Sequence, residues 1–154
     1  MVERVTYAVE GWGVGEIVLA GGLLAWHEHP RNTVRSDGRS APTPLAERFR
    51  AYFAGEADRF ADVELELDWC TPFQRRALEA MRAIPYGETA TYGEVAALAG
   101  HPNAGRAIGS VCAANRFALV VPCHRVVAAD GLGSYGSLGL SYKRRLLELE
   151  GVVL

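Results

Sequence analysis

Long apolar runs are missing from this chain of 154 residues. None approaches the ~20 residues that a helix needs to span a bilayer, which argues against a helical membrane protein. The opening Met1-Val2-Glu3-Arg4 also lacks the basic and apolar blocks of a secretory signal. Cysteine is scarce. Cys70, Cys112 and Cys123 have no metal-like spacing and cannot all pair, so neither a disulfide scaffold nor a bound metal is expected, and a reducing cytoplasm is the expected setting. Excess positive charge is absent as well. A net charge of −2 argues against nucleic acid as a ligand of the whole chain. The halves differ, however: residues 1–70 hold 7 Lys+Arg against 12 Asp+Glu, whereas residues 71–154 hold 9 against 6. Such asymmetry can mark one half that faces nucleic acid. The rest is ordinary for a soluble globular protein, with 49% hydrophobic and 22% charged residues. The length suits one medium domain or two small ones.

The first 70 residues read as mixed α/β. Val5-Thr6-Tyr7-Ala8-Val9 has strand propensity, and Gly21-Gly22 between two apolar runs signals a tight hairpin. His29 to Pro42 reads as a polar loop. Thr43-Pro44 predicts a helix start, followed by an apolar face of Leu45, Phe49, Tyr52 and Phe53 and a stop at Gly55. Val63, Leu65 and Leu67 alternate with acids, as in a half-buried strand. His27 and His29 share a face if their strand continues; without other ligands nearby they read as two solvent-exposed histidines rather than a metal pair.

From Thr71 the periodicity turns helical. Thr71-Pro72 opens one helix with Phe73, Ala77, Ala80, Met81 and Ile84 on one face. Thr91-Tyr92-Gly93-Glu94 is a capping box for a short helix closing at Gly100. Asn103 is the expected cap of a second helix, Ala104 to Ala114, rich in small residues that leave one face nearly bare. Two short helices across a tight turn suggest a helix-turn-helix. The bare face would admit either a neighbouring helix or a narrow nucleic-acid groove. Arg106 near its start is disfavoured by the helix dipole and reads either as a functional cation or as an exposed arginine paired with an acid.

Val121-Pro122-Cys123-His124-Arg125-Val126-Val127 carries the most chemistry. A free thiol titrates near ~8.5, and adjacent His or Arg can lower that value, so His124 and Arg125 are expected to activate Cys123. A core cysteine at a strand end is the alternative. Consecutive side chains diverge in strands and do not face each other in helices. His124 therefore reaches Cys123 only if the chain turns at Pro122 or a water bridges them. Triad logic asks for a third group behind the imidazole, and Glu150 is the acidic candidate. It closes a helix-like stretch at the end where the dipole disfavours an acid, unless local partners hold it.

Tyr86-Gly87-Glu88, Thr91-Tyr92-Gly93-Glu94, Ala97-Leu98-Ala99-Gly100, Arg106-Ala107-Ile108-Gly109, Asn115 and Pro122-Cys123-His124-Arg125-Val126, in this order and spacing, resemble the O6-alkylguanine-DNA alkyltransferases (methylated-DNA–protein-cysteine methyltransferases). The resemblance covers residues 71–151. It implies an α+β protein with a small ribonuclease-H-like α/β domain over 1–70, and a helical DNA-binding and alkyl-acceptor domain with a winged helix-turn-helix over 71–154. It implies suicide repair by a monomer without a cofactor: Cys123 takes the alkyl group from O6-alkylguanine in double-stranded DNA, and from O4-alkylthymine. His124, a bound water and Glu150 relay charge. Tyr92 assists base flipping and protonates the leaving guanine, and Asn115 braces the turn before the cysteine loop. Arg106 replaces the flipped base, with Ala107, Gly109 and Ser110 on the DNA-facing helix. Val126, Tyr135 and Ser137 line the pocket, with carbonyls of Cys123 and Val126 receiving the guanine amine. The loop Leu132 to Gly139 departs from the family's Gly-Tyr-x-Gly-Gly, so whether Tyr135 or Ser137 faces the pocket is open. So is whether Cys112 touches the pocket or only packs. Rival readings are an alkyltransferase-like sensor, which would lack Cys123; a winged-helix regulator, which would not need Pro122-Cys123-His124-Arg125 or Glu150; and a cysteine hydrolase using Cys123, His124 and Asn115, which would turn over repeatedly.

Overall fold

A computed structural model of the chain describes residues 1–32 and 43–154; most of the loop expected between His29 and Pro42 lies outside the described residues. The protein mixes strands and helices in two compact units, Met1–Leu67 with Arg116–Leu119, and Asp68–Asn115 with Val120–Leu154. Among the described residues no helix is long and apolar enough to cross a membrane.

The first unit carries an antiparallel sheet of β1 (Val2–Val9), β2 (Gly13–Ala20) and β3 (Leu23–Arg31) in that order. Gly21 and Gly22 make the expected two-residue connection, with φ of +58° and +84°, angles that side-chain-bearing residues resist. Helix α1 (Pro44–Phe53) starts as its sequence dictates: the Thr43 side chain accepts from Ala46 N, and Pro44 fills the first turn. Its buried residues are Ala46, Phe49, Tyr52 and Phe53.

Three expectations for this unit need correction. β3 continues through His29, Pro30 and Arg31, where the composition predicts a loop. His27 and His29 are buried, at 2% and 3% exposure, because their face of β3 meets aromatic rings from α1: Phe49 stacks on His27 and Phe53 lies edge-on to His29. Residues 63–67 form no strand. They meet β3 where Leu24 N donates to Glu64 O and Glu66 N to Leu24 O, both at 2.8 Å. Three residues along, the same β3 edge is taken by another segment, with His27 N donating to Arg116 O at 2.8 Å. Sharing one edge leaves neither segment room to extend a ladder.

The second unit begins with α2 (Pro72–Arg82), closed at its start by a reciprocal capping box between Thr71 and Gln74. A two-residue strand, β4 (Ala90–Thr91), runs into α3 (Tyr92–Leu98), capped reciprocally by Thr91 and Glu94. Each box satisfies two backbone donors that a helix start otherwise leaves unpaired. Helix α4 (Gly105–Ala113) has no side-chain cap. The turn from His101 O to Ala104 N, 2.9 Å, makes Ala104 rather than Asn103 the cap residue. β5 (Val126–Val127) pairs in parallel with β4, and α5 (Gly139–Leu149) ends the unit. Ala77, Met81, Val95, Ile108, Leu146 and Leu147 form its buried interior.

Candidate active site

Pro122 ends the buried run Val120–Val121, and Cys123–Arg125 wind into a single 3-10 turn, with Arg125 N donating to Pro122 O at 2.9 Å and Val126 N to Cys123 O. The turn sends adjacent side chains to different partners. Asn115 Nδ2 donates to Cys123 Sγ at 3.2 Å and to Val121 O at 2.9 Å. His124 Nε2 lies 2.7 Å from Glu150 Oε2. Among the described residues no hydrogen bond joins Cys123 to His124, so the two do not form a direct thiol–imidazole pair.

Glu150 is the hub of this cluster. It caps α5 and is 6% exposed. Arg125 grips it at 2.9 Å through Nε and 3.0 Å through Nη2, and Gly87 N donates to it at 3.0 Å. Burial opposes its ionisation, but the hydrogen bonds and charges of His124 and Arg125 outweigh burial and hold the carboxyl well below the usual range. Burial also holds the His124 imidazole down, more strongly than Glu150 raises it. A neutral imidazole facing a carboxylate donates through Nε2–H, which leaves Nδ1 as the acceptor. That nitrogen is buried and has no hydrogen-bond partner among the described residues.

The thiol itself departs from expectation. Burial pushes Cys123 up, against the Asn115 N–H, the Lys143 charge and the Tyr135 hydroxyl, which favour the thiolate. The resting sulfur is therefore a neutral thiol. Arg125 was expected to activate it, but its guanidinium is committed to Glu150 and to Ile84 O, the latter at 2.8 Å, over the Tyr86 ring. Cys112 packs: its Sγ lies 3.5 Å from Met81 Sδ, and burial followed by the nearby Cys123 pushes it up to about 12.

The family profile for the 6-O-methylguanine DNA methyltransferase DNA binding domain matches residues 72–152. A methylated-DNA–protein-cysteine methyltransferase of Mycobacterium bovis is 43% identical over 139 residues, spanning 90% of this chain and 82% of its own. One from Methanosarcina acetivorans is 50% identical over 105 residues, spanning 68% and 65%. The crystal structure of Mycobacterium tuberculosis OGT in complex with DNA superposes with a TM-score of 0.81 at 38% identity, covering 96% of this chain and 92% of that one. The chain belongs to the methylated-DNA–protein-cysteine methyltransferase family.

In this family member the bare face of α4 borders an open groove of about 590 Å³ lined by Tyr92, Gly105, Arg106, Gly109, Ser110 and Ala113 from the helices, with Gly133 and Ser134 opposite. Arg106, Ala107 and Ser110 are exposed, and among the described residues no ion pair engages Arg106. Gly133 is required twice over: its φ is +82°, and a Cβ there would sit 2.7 Å from the Tyr92 hydroxyl. Of the two loop candidates, Tyr135 meets the thiol, whereas Ser137 is exposed on the short turn Gly136–Leu138. Val126 is buried, and its carbonyl already accepts from Lys143 Nζ at 2.6 Å. A carbonyl has two lone pairs and can accept a second bond. Among the described residues no group of three His, Cys, Asp or Glu could hold a metal.

Lys143 is the residue that sequence reasoning missed. It is the chain's one lysine, fully buried on α5. It bonds Val126 O and Ser134 O, the latter at 3.1 Å, and lies 5.9 Å from the Tyr92 ring centre. Burial lowers its pKa, while Cys123 and Cys112 act the other way. The signal was available: Lys143, Leu146, Leu147 and Glu150 follow the spacing of one helix face, and all four are buried.

Proposed function

We propose that the protein repairs DNA by direct reversal, moving the alkyl group of O6-alkylguanine, and of O4-alkylthymine, irreversibly onto Cys123. The observation that carries this reading is one unit holding a buried thiol braced by Asn115, a neutral His124 oriented by Glu150, and the groove along α4. The sulfur attacks the alkyl carbon. A C–S bond forms as the carbon–O6 bond breaks, and the bonding pair leaves with the guanine. The thiol proton passes through one water to His124 Nδ1, and Tyr92 donates the proton that the leaving base requires at N3. Asn115 and Lys143 stabilise the developing thiolate. A target base inside a duplex is out of reach of a protein nucleophile, so it is extruded; Arg106 fills the vacated stack while Ala107, Gly109 and Ser110 let α4 approach the minor groove. Tyr135 and Val126 line the base pocket, with Ser137 at its mouth.

The same reading makes residues 1–70 a ribonuclease-H-like domain and 71–154 an alkyl-acceptor domain with a winged helix-turn-helix. It also makes the protein a cytoplasmic monomer that needs no cofactor. The deciding experiment is intact-protein mass spectrometry after incubation with duplex DNA bearing O6-methylguanine, with Cys123→Ala as control. A single added methylene mass on Cys123, never exceeding one per chain, is expected. Lesion binding with no mass change would make the protein a sensor. Repeated turnover of a chromogenic ester would make it a hydrolase.

A further inference from the structure

His27 stands outside the site described above, in the N-terminal unit, yet two of its bonds go to one short stretch of chain, residues 116–118. Its backbone N–H donates to Arg116 O at 2.8 Å. Its Nδ1 lies 2.5 Å from Ala118 O, and its Nε2 lies 2.5 Å from the Tyr7 hydroxyl. A carbonyl only accepts, so Nδ1 carries the proton and Nε2 accepts from Tyr7. The ring stacks on Phe49, with centres 3.9 Å apart and planes 8° from parallel. An aliphatic side chain would fill such a site without a polar group to satisfy. Here both ring nitrogens are satisfied, and one of them grips main chain.

The gripped stretch matters because of where it leads. Arg116–Leu119 is the part of the chain beyond Leu67 that belongs to the N-terminal unit. Asn115 precedes it, and Cys123 follows four residues after its end. Asn115 in turn holds Val121 O and Cys123 Sγ. Between 115 and 123 the chain is thus clamped twice in succession, by His27 at 116 and 118 and by Asn115 at 121 and 123. We propose that His27 is a positioning residue for the acceptor cysteine: by fixing residues 116 and 118 it sets the reach of the Asn115 amide to Cys123 Sγ, and with it the ease of thiol ionisation. Its bearing on repair rests on Cys123 being the alkyl acceptor. Burial, against the pull of the Ala118 carbonyl, holds the imidazole down to about 4, so the clamp keeps a single protonation state across the neutral range.

The test compares His27→Leu, His27→Asn and Tyr7→Phe with the unmodified protein. The rate of Cys123 alkylation by iodoacetamide is followed against pH with site-resolved mass spectrometry, alongside methyl transfer from O6-methylguanine duplex. Melting and near-ultraviolet circular dichroism report folding. The groups that act electrostatically on the thiol, Cys112, Tyr135 and Lys143, are untouched. His27→Leu is expected to move the pH–rate midpoint upward and slow both reactions at neutral pH by roughly tenfold, the weight of one hydrogen bond to an ionised group. His27→Asn keeps an N–H donor for Ala118 O and is expected to stay within about threefold. Tyr7→Phe takes away the hydroxyl that holds Nε2 and so loosens the ring against Ala118 O, and is expected to move the midpoint the same way by less. A folded His27→Leu with the original midpoint and rates overturns the proposal, as does His27→Asn behaving like His27→Leu. If His27→Leu does not fold, an unchanged midpoint in Tyr7→Phe overturns it. A purely structural histidine would alter melting and leave the midpoint in place. An unmodified protein that takes no methyl from DNA, while its iodoacetamide profile responds as expected, sinks the repair reading and leaves the positioning role standing.

Discussion

Replacing Glu150 by Gln tests the centre of the site with a change of one atom. The buried carboxylate accepts from His124 Nε2, from Arg125 Nε and Nη2, and from Gly87 N. Every one of these is a donor. A glutamine must aim its NH2 group at some of them in either orientation, leaving at least one buried donor unmet and the Arg125 guanidinium without a counter-charge. Removing one member of a buried ion pair costs about 3–5 kcal/mol, a large share of the ~5–15 kcal/mol that stabilises a typical protein. At ~2–4 °C per kcal/mol for a chain of this size, the melting temperature should fall by about 6–20 °C. Calorimetry across pH supplies the second half of the test. The folded Glu150 carboxyl sits below its ordinary value of 4.5, so its contribution is fully present above that value and is lost as pH falls through the folded one. The gap between the two proteins should therefore be widest at neutral pH and close in acid below about 4.5. Adding Arg125→Met to Glu150→Gln removes the stranded charge and should recover part of the loss. A Glu150→Gln protein melting within about 2 °C of the original, with a parallel pH curve, would refute the hub assignment.

The other predictions separate DNA handling from thiol chemistry. Arg106→Ala should leave stability within about 0.5 kcal/mol, as for an exposed side chain with no ion pair among the described residues. Under the proposed role it should slow methyl transfer from duplex DNA by at least roughly tenfold, because unstacking a base costs a few kcal/mol that an inserted arginine would help offset; Cys123 alkylation by iodoacetamide should not change, and quenched-flow against both substrates checks this. Gly133→Ala would force a side chain into the left-handed region and against the Tyr92 ring. It should cost about 1–2 kcal/mol from backbone strain alone and slow methyl transfer as Tyr92 is displaced; unchanged melting and kinetics would contradict the close approach. Asn115→Ala removes a donor to the sulfur, so the pH–rate midpoint for Cys123 should move upward, with a stability loss of about 1 kcal/mol in urea titration.

What could be read from the sequence follows the range of the forces involved. The starts of α1, α2 and α3 were legible because a cap needs only residues three apart, as Thr71 with Gln74 and Thr91 with Glu94 demonstrate. The Gly21-Gly22 connection was legible for the same reason. The alternation at Val63, Leu65 and Leu67 misled, since a strand also needs a free partner edge, and β3 divides its edge between residues 64–66 and 116–117. Burial of His27 was invisible because its partners, Tyr7, Phe49 and Ala118, are distant in sequence. Arg125 was placed beside the thiol on adjacency alone, whereas a 3-10 turn redirects it to Glu150, 25 residues further along the chain. The order and spacing of motifs around Cys123 identified the family, but the protonation states in the site depend on burial and could be obtained only from the fold.

Those protonation states bear on how a single-use acceptor avoids being wasted. A permanent thiolate would react with any passing electrophile or oxidant. Here burial keeps the sulfur protonated, so under the proposed transfer the proton must depart as the alkyl carbon arrives. That requires an acceptor which is always in the right state. Arg125 keeps Glu150 ionised; Glu150 fixes the proton of His124 on Nε2; and burial keeps the imidazole neutral, so Nδ1 remains available. Each residue in this chain acts on the next, and the charge that acts on the sulfur is Lys143, which also bonds both Val126 O and Ser134 O. Reactivity is thus stored in neighbours that stabilise the thiolate once it forms, rather than in a thiolate already present, and loss of any one neighbour should lower the rate of transfer more than it lowers affinity for the lesion.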